Sequence, residues 1–91
     1  MSCPCGHDEQ RIPTTRAEIL ACASWHTRIL PLVETVAFDS RTWIAVLRCR
    51  ECGRCWAQDR LESGQASLEF AYPIETNDPE GWLATAESVW A

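Results

Sequence analysis

Apolar and polar positions follow one another along this chain with a spacing that changes from block to block, and each spacing predicts an element. Thr15 followed three residues later by Glu18 has the form of a capping box, in which a hydroxyl and a carboxylate each satisfy an orphan helix amide. Ile19, Leu20, Cys22 and Ala23 then share a helical face, which predicts a helix over about 15–26, and Pro31 stops anything helical after Leu30. Residues 33–38 are β-prone through Val33, Val36 and Phe38, and Asp39-Ser40-Arg41 reads as a turn. The run from Trp43 to Arg48 is too short and too β-branched for a helix and predicts a strand. Trp56 to Leu61 predicts the returning strand, and Ser63-Gly64-Gln65 the turn after it. Leu68, Phe70, Tyr72 and Ile74 alternate with Glu69, Ala71 and Pro73, the signature of a half-buried strand whose end or exposed edge is marked by the proline. Asp78 as N-cap with Pro79 behind it starts an amphipathic helix carrying Trp82, Leu83, Ala86, Val89 and Trp90.

These elements predict an α+β fold. It has a small antiparallel sheet of about three strands, one helix inserted between two cysteine groups, and one carboxy-terminal amphipathic helix, all in a single domain over residues 1–91. A chain of 91 residues buries only a thin core, so a covalent or metal staple adds disproportionately to its stability.

Cysteine supplies the means. The chain has 6 cysteines, and Cys3, Cys5, Cys49, Cys52 and Cys55 fall into two tight groups, unlike the dispersed half-cystines of a disulfide scaffold. The start of the chain shows neither a basic nor an apolar leader region, so a reducing, cytoplasmic setting is expected, where clustered cysteines bind metal. Cys49-Arg50-Glu51-Cys52-Gly53 after a predicted strand has the form of a zinc knuckle. The two-residue spacer turns both thiolates toward one ion, and Gly53 takes the positive φ after the second sulfur. Cys3-Pro4-Cys5-Gly6-His7 is a second such turn with a shorter spacer pre-bent by Pro4. Two glycine-ended cysteine turns flanking a hairpin form the pattern of a zinc ribbon. They predict a structural Zn²⁺ held by Cys3, Cys5, Cys49 and Cys52. His7 in place of Cys3 is an alternative ligand set. The Cys49, Cys52, Cys55 run suits an iron–sulfur cluster superficially but lacks the further Cys-Pro of that pattern. Cys22 and Cys55 read as ordinary buried thiols.

Catalysis is poorly supported. His7-Asp8-Glu9 matches half of a zinc-deaminase signature, but Arg48 stands where the other half needs proline. His26 has no nucleophile in a recognisable motif beside it and reads as a helix-end or surface residue. There is no glycine-rich phosphate loop, and no apolar run long enough to span a membrane. Non-enzymatic function is therefore expected.

The net charge of −5 is localised. Residues 67–91 hold Glu69, Glu75, Asp78, Glu80 and Glu87 and no basic residue, while the rest of the chain sums to zero. All 8 basic residues are arginine, and Arg48, Arg50, Arg54 and Arg60 surround the second cysteine group. An acidic chain of this kind is a poor general binder of nucleic acid, although those arginines would be the contact surface of a nucleic-acid or transcription-machinery ribbon. The 5 tryptophans outnumber the other aromatics. Trp43 and Trp56, on either side of the knuckle, are expected in the core, whereas Trp82 and Trp90 are candidates for a binding surface with Glu75, Asp78 and Glu80.

The apolar strand, then Cys49-Arg50-Glu51-Cys52-Gly53-Arg54-Cys55-Trp56, with a Cys-x-Cys-Gly opening, resembles the small zinc-ribbon immunity proteins of bacterial polymorphic toxin systems. The resemblance covers residues 43–61 and the amino-terminal pair. It implies a cytoplasmic, non-enzymatic inhibitor that binds a cognate toxin directly. An acidic surface would attract the cationic cleft of a toxin that acts on nucleic acids.

Overall fold

The computed structural model describes residues 3–63 and 66–86. Helix α1 spans Arg16–Ile29. The Thr15 side chain accepts the Glu18 N–H at 3.1 Å, as the capping box requires. The Glu18 carboxylate reaches back one residue further than predicted, to the N–H and hydroxyl of Thr14 at 3.2 and 2.8 Å. The buried stripe is Ile19, Cys22, Ala23, His26 and Ile29. Leu20 lies off that stripe and is exposed, against expectation. The helix runs past its predicted end to Ile29 and stops short of Pro31. The last turn still carries Ile29 into the core, and a 3₁₀ turn at Leu30–Leu32 then absorbs the proline.

Four strands come next, one more than the three expected: β1 (Val33–Asp39), β2 (Ile44–Cys49), β3 (Cys55–Ser63) and β4 (Ala66–Ile74). They form an antiparallel meander in the order β1-β2-β3-β4. The β-prone segment at 33–38 is thus a full edge strand, with its register shifted once between Thr35 and Ala37. That bulge lets Val36 and Ala37 both pack on the main core. The central residues of the predicted turn at 63–65 lie outside the described residues.

Strand alternation separates two cores. Ile44, Val46, Ala57, Leu61, Phe70, Tyr72 and Ile74 join Ile19, Cys22 and Ala23 of α1 in the larger one. Leu47, Cys49, Trp56 and Ala71 project the opposite way and meet Cys5, Ile29 and Val33 in the smaller one. Helix α2 (Pro79–Thr85) contributes Leu83 to the larger core and packs on β1 and β2, while α1 packs on β4. Asp78 stands at the N-cap as predicted, but its side chain makes no capping bond. The helix is shorter than expected, because Ala86 turns extended and its N–H closes back on Leu83 O at 3.2 Å. Val89 and Trp90 lie outside the described residues. No described helix is long and apolar enough to cross a membrane.

Candidate metal centre

The second cysteine turn is built by the β2–β3 hairpin. Cys49 N–H donates to Arg54 O and Gly53 N–H to Cys49 O, both at 2.9 Å. Gly53 adopts φ +75°, as its place after the second cysteine predicted. The Glu51 N–H points at Cys49 Sγ, 3.4 Å away. Cys55, the first residue of β3, faces the larger core instead, so the iron–sulfur alternative loses its third ligand. Cys22 is likewise a buried thiol of that core.

Among the described residues the first turn has no flanking strand, and it is held from outside. Gly6 N–H donates to Cys3 O at 2.9 Å. The Trp25 indole N–H, from α1, donates to Cys5 O at 2.7 Å. The same ring crowds Gly6, where a Cβ would meet Trp25 Cζ2 at 2.5 Å, and Gly6 itself has φ +71°. His7 is buried, its ring edge-on to Trp56 at 5.3 Å between centroids. Its Nε2 lies 2.8 Å from Cys55 O and 3.1 Å from Ile74 O. Facing two carbonyls, that nitrogen must carry the proton and donate. His7 therefore closes the end of the β3–β4 ladder. It is not among the four side chains whose ligand atoms are grouped. Arg54 completes the frame by reaching both Asp8 and Glu75, the latter at 2.6 Å.

Between the two turns the sulfurs of Cys3, Cys5, Cys49 and Cys52 lie within 4.8 Å of one another. Cys3 and Cys49 Sγ are 3.5 Å apart, Cys5 and Cys52 Sγ 3.7 Å. Sulfurs at tetrahedral corners around an ion with metal–sulfur bonds of ~2.3 Å would be ~3.8 Å apart. The pairs are far too long for disulfide bonds, which need ~2.05 Å. The four predicted ligands thus lie together and could bind a metal ion. Burial pushes the Cys5 thiol up to about 12. Burial opposes ionisation at Cys49 too, but the N–H groups of Cys52 and Glu51 together with the Cys3 and Cys5 thiols outweigh it and hold that thiol below its usual value. An incoming cation must displace protons from such a set, which ties its affinity to pH. Cys5 and Cys49 are sealed from solvent and Cys52 is exposed.

Of the predicted partner-binding residues, Glu75 is exposed but engaged with Arg54, Asp78 and Glu80 are exposed at the start of α2, and Trp82 is half-buried against the larger core. Trp90 is outside the described residues. Of the arginines around the knuckle, Arg50, Arg54 and Arg60 each hold a carboxylate of this chain, at Glu34, at Asp8 and Glu75, and at Glu69.

One tryptophan departs from expectation. Trp56 is fully buried, as predicted, but Trp43 is 57% exposed. The reason is backbone conformation: Trp43 sits at φ +60° at the end of the β1–β2 turn, which swings its side chain out of the core. Trp25, for its part, grips the first cysteine turn, a role that no local pattern around it signals. His26 also departs, being buried rather than superficial, and burial lowers its pKa. A tryptophan count alone carries no signal for either the grip of Trp25 or the exposure of Trp43.

No protein-family model, curated protein or solved structure matches this chain.

Proposed function

We propose that this is a metal-stapled, non-enzymatic protein-binding module of the cytoplasm, and that its ion is structural Zn²⁺. The supporting observation is the set of four cysteine sulfurs within 4.8 Å, which leaves no coordination position for water or substrate. A catalytic zinc keeps one position open. Four thiolates also match the borderline-soft character of zinc better than that of magnesium or calcium. The binding role rests on charge: an acidic chain whose surplus lies in its last quarter, suited to a partner with a basic surface. Together with the resemblance of the second cysteine turn, this favours an immunity protein that neutralises a cognate toxin by direct contact. The arginines around the knuckle do not argue for nucleic acid, because three of the four are occupied by carboxylates of the chain itself.

Co-expression with the protein encoded by the adjacent gene tests this reading. The expected outcome is a stable complex, loss of that protein's toxicity, and one zinc per chain by elemental analysis. Nanomolar, sequence-specific gel shifts with DNA or RNA would replace the reading with a nucleic-acid ribbon.

A further inference from the structure

At the end of the sheet away from the metal, Phe38 and Trp43 stand 53% and 57% exposed. Their rings meet edge to face, 5.8 Å between centroids at 74°. Arg60 lies over the indole at 5.4 Å, and Glu69 holds Arg60 at 3.2 Å. The cluster opens on two hollows that share Phe38. One, of about 170 Å³, lies over the sheet beside Trp43 and Gln58. The other, of about 360 Å³, runs between the β1–β2 turn and α2, past Leu83 and Glu80.

Two features set this patch apart from incidental apolar exposure. First, Trp43 occupies the left-handed region, which bulky side chains avoid and glycine or asparagine adopts easily. Folding alone would favour a small residue here, and the backbone conformation serves to present the indole to solvent. Second, the charges around the patch do not cancel. Arg41 is spent on Asp39 at 2.8 Å and Arg60 on Glu69, whereas Glu80 is in no ion pair with a described residue. The surplus is negative, beside two aromatic rings.

We infer that the Phe38–Trp43 corner is the docking surface for a protein partner. Its occupant is a segment that seats an apolar side chain between the rings and places Lys or Arg against Glu80. This rests on the protein-binding reading above and names the surface that carries it. Aromatic residues at such positions dominate binding energies, and the rim charge sets approach and orientation.

The test uses the zinc-loaded full chain and a displayed library of random short peptides. Selection is expected to enrich sequences joining an aromatic or branched aliphatic residue to Lys or Arg. Synthetic peptides of that sequence should lose roughly thirtyfold or more in affinity for Trp43→Gly and for Phe38→Ala, the affinity equivalent of a hot spot. Glu80→Lys should chiefly slow association and flatten its salt dependence. Trp43→Gly is the informative variant, because it removes the indole while relieving the backbone, so its thermal midpoint should hold or rise. Peptides bound equally well by wild type and by both aromatic variants would overturn this surface and leave the protein-binding reading standing. Enrichment of acidic peptides, or of none, would also overturn it; co-purification of a native partner would then judge the broader reading separately. A dimer in sedimentation that Trp43→Gly abolishes would overturn it too, by assigning the face to a second copy. So would a drop in thermal midpoint in Trp43→Gly with peptide binding retained, which would make the indole a structural element.

Discussion

The two cysteine turns present the same ligand chemistry and are held in place by different means. The turn at 49–53 is the corner of a hairpin. Strands β2 and β3 enter and leave it, the Cys49–Arg54 and Gly53–Cys49 hydrogen bonds close it locally while Arg50 N–H tethers it to Leu32 O at 2.8 Å, and nothing lies within 4 Å of where a Gly53 Cβ would project. The turn at 3–7 has no flanking strand among the described residues and takes its shape from distant groups: Trp25 on α1, the carbonyls of Cys55 and Ile74 that receive His7, and Arg54 bound to Asp8. The difference teaches that a ligand pair can be supplied locally or imported by tertiary structure. In a closed site the imported pair is the one whose support lies far off in sequence. Gly6 shows this most directly. It must both adopt a positive φ and admit the Trp25 ring, whereas Gly53 has only the first duty.

The largest expected effect erases the comparison. Cys49→Ser or Cys52→Ser should abolish metal binding and folding together, since in small metal domains the two are one free energy. Elemental analysis alongside circular dichroism checks this, with Cys22→Ala as the variant that keeps both metal and fold.

The glycines should then separate. Gly6→Ala combines left-handed strain with a collision against Trp25 and should cost about 3 kcal/mol or more. Gly53→Ala meets open space and should cost only the conformational term, about 1–2 kcal/mol. Urea denaturation of both zinc-loaded variants gives the ordering, and equal costs would remove the distinction between an imported and a local turn.

Trp25→Phe retains much of the apolar ring but loses the donor to Cys5 O, with an expected loss of about 1–2 kcal/mol. The same variant should hasten metal transfer to a chelator, and transfer at the wild-type rate would show that Trp25 does not secure the turn.

The smallest effect concerns pH. Burial lowers the pKa of His26, the neighbour of Trp25 on α1, from its ordinary 6.5. The unfolded chain therefore takes up that proton first. The stability His26 contributes is complete above about pH 6.5 and is lost as pH falls toward its lower folded value. His26→Phe should flatten this part of the stability–pH curve as pH falls below the ordinary value of 6.5, measured as the difference from wild type so that acid release of metal cancels. An unchanged slope would mean that His26 is not protonated differently in the two states.

Much of this architecture was legible in the pattern of residues. The capping Thr15, the alternation of Phe70, Tyr72 and Ile74, and the Asp78-Pro79 start of α2 are local signals, and each marks an element near where it lies. The additional strand, β1, was visible as a β-prone segment, but nothing in its own residues says that it pairs with β2. The end of α2 ran short of its apolar spacing because periodicity reports a face, while the end of a helix depends on where its backbone next finds partners. Leu20 was placed inside for a related reason: spacing gives a sector, and the width of the neighbouring surface decides how much of it is covered.

The site divides along the same line. Residue chemistry by itself determined which side chains can hold an ion, because thiolates at turn spacing, each pair closed by a glycine, meet a metal's demands wherever the two pairs come together. Only tertiary structure decided what His7, Trp25, Trp43 and Cys55 do. His7 is claimed by two strand carbonyls, Cys55 by the opposite face of the sheet, Trp25 by a glycine far back in the chain, and Trp43 by a backbone angle that turns it to solvent. The physical reason is that ligand type is a property of one residue and its near neighbours. Whether a polar or aromatic side chain is buried, bonded or exposed depends on groups that the fold brings from elsewhere in the chain.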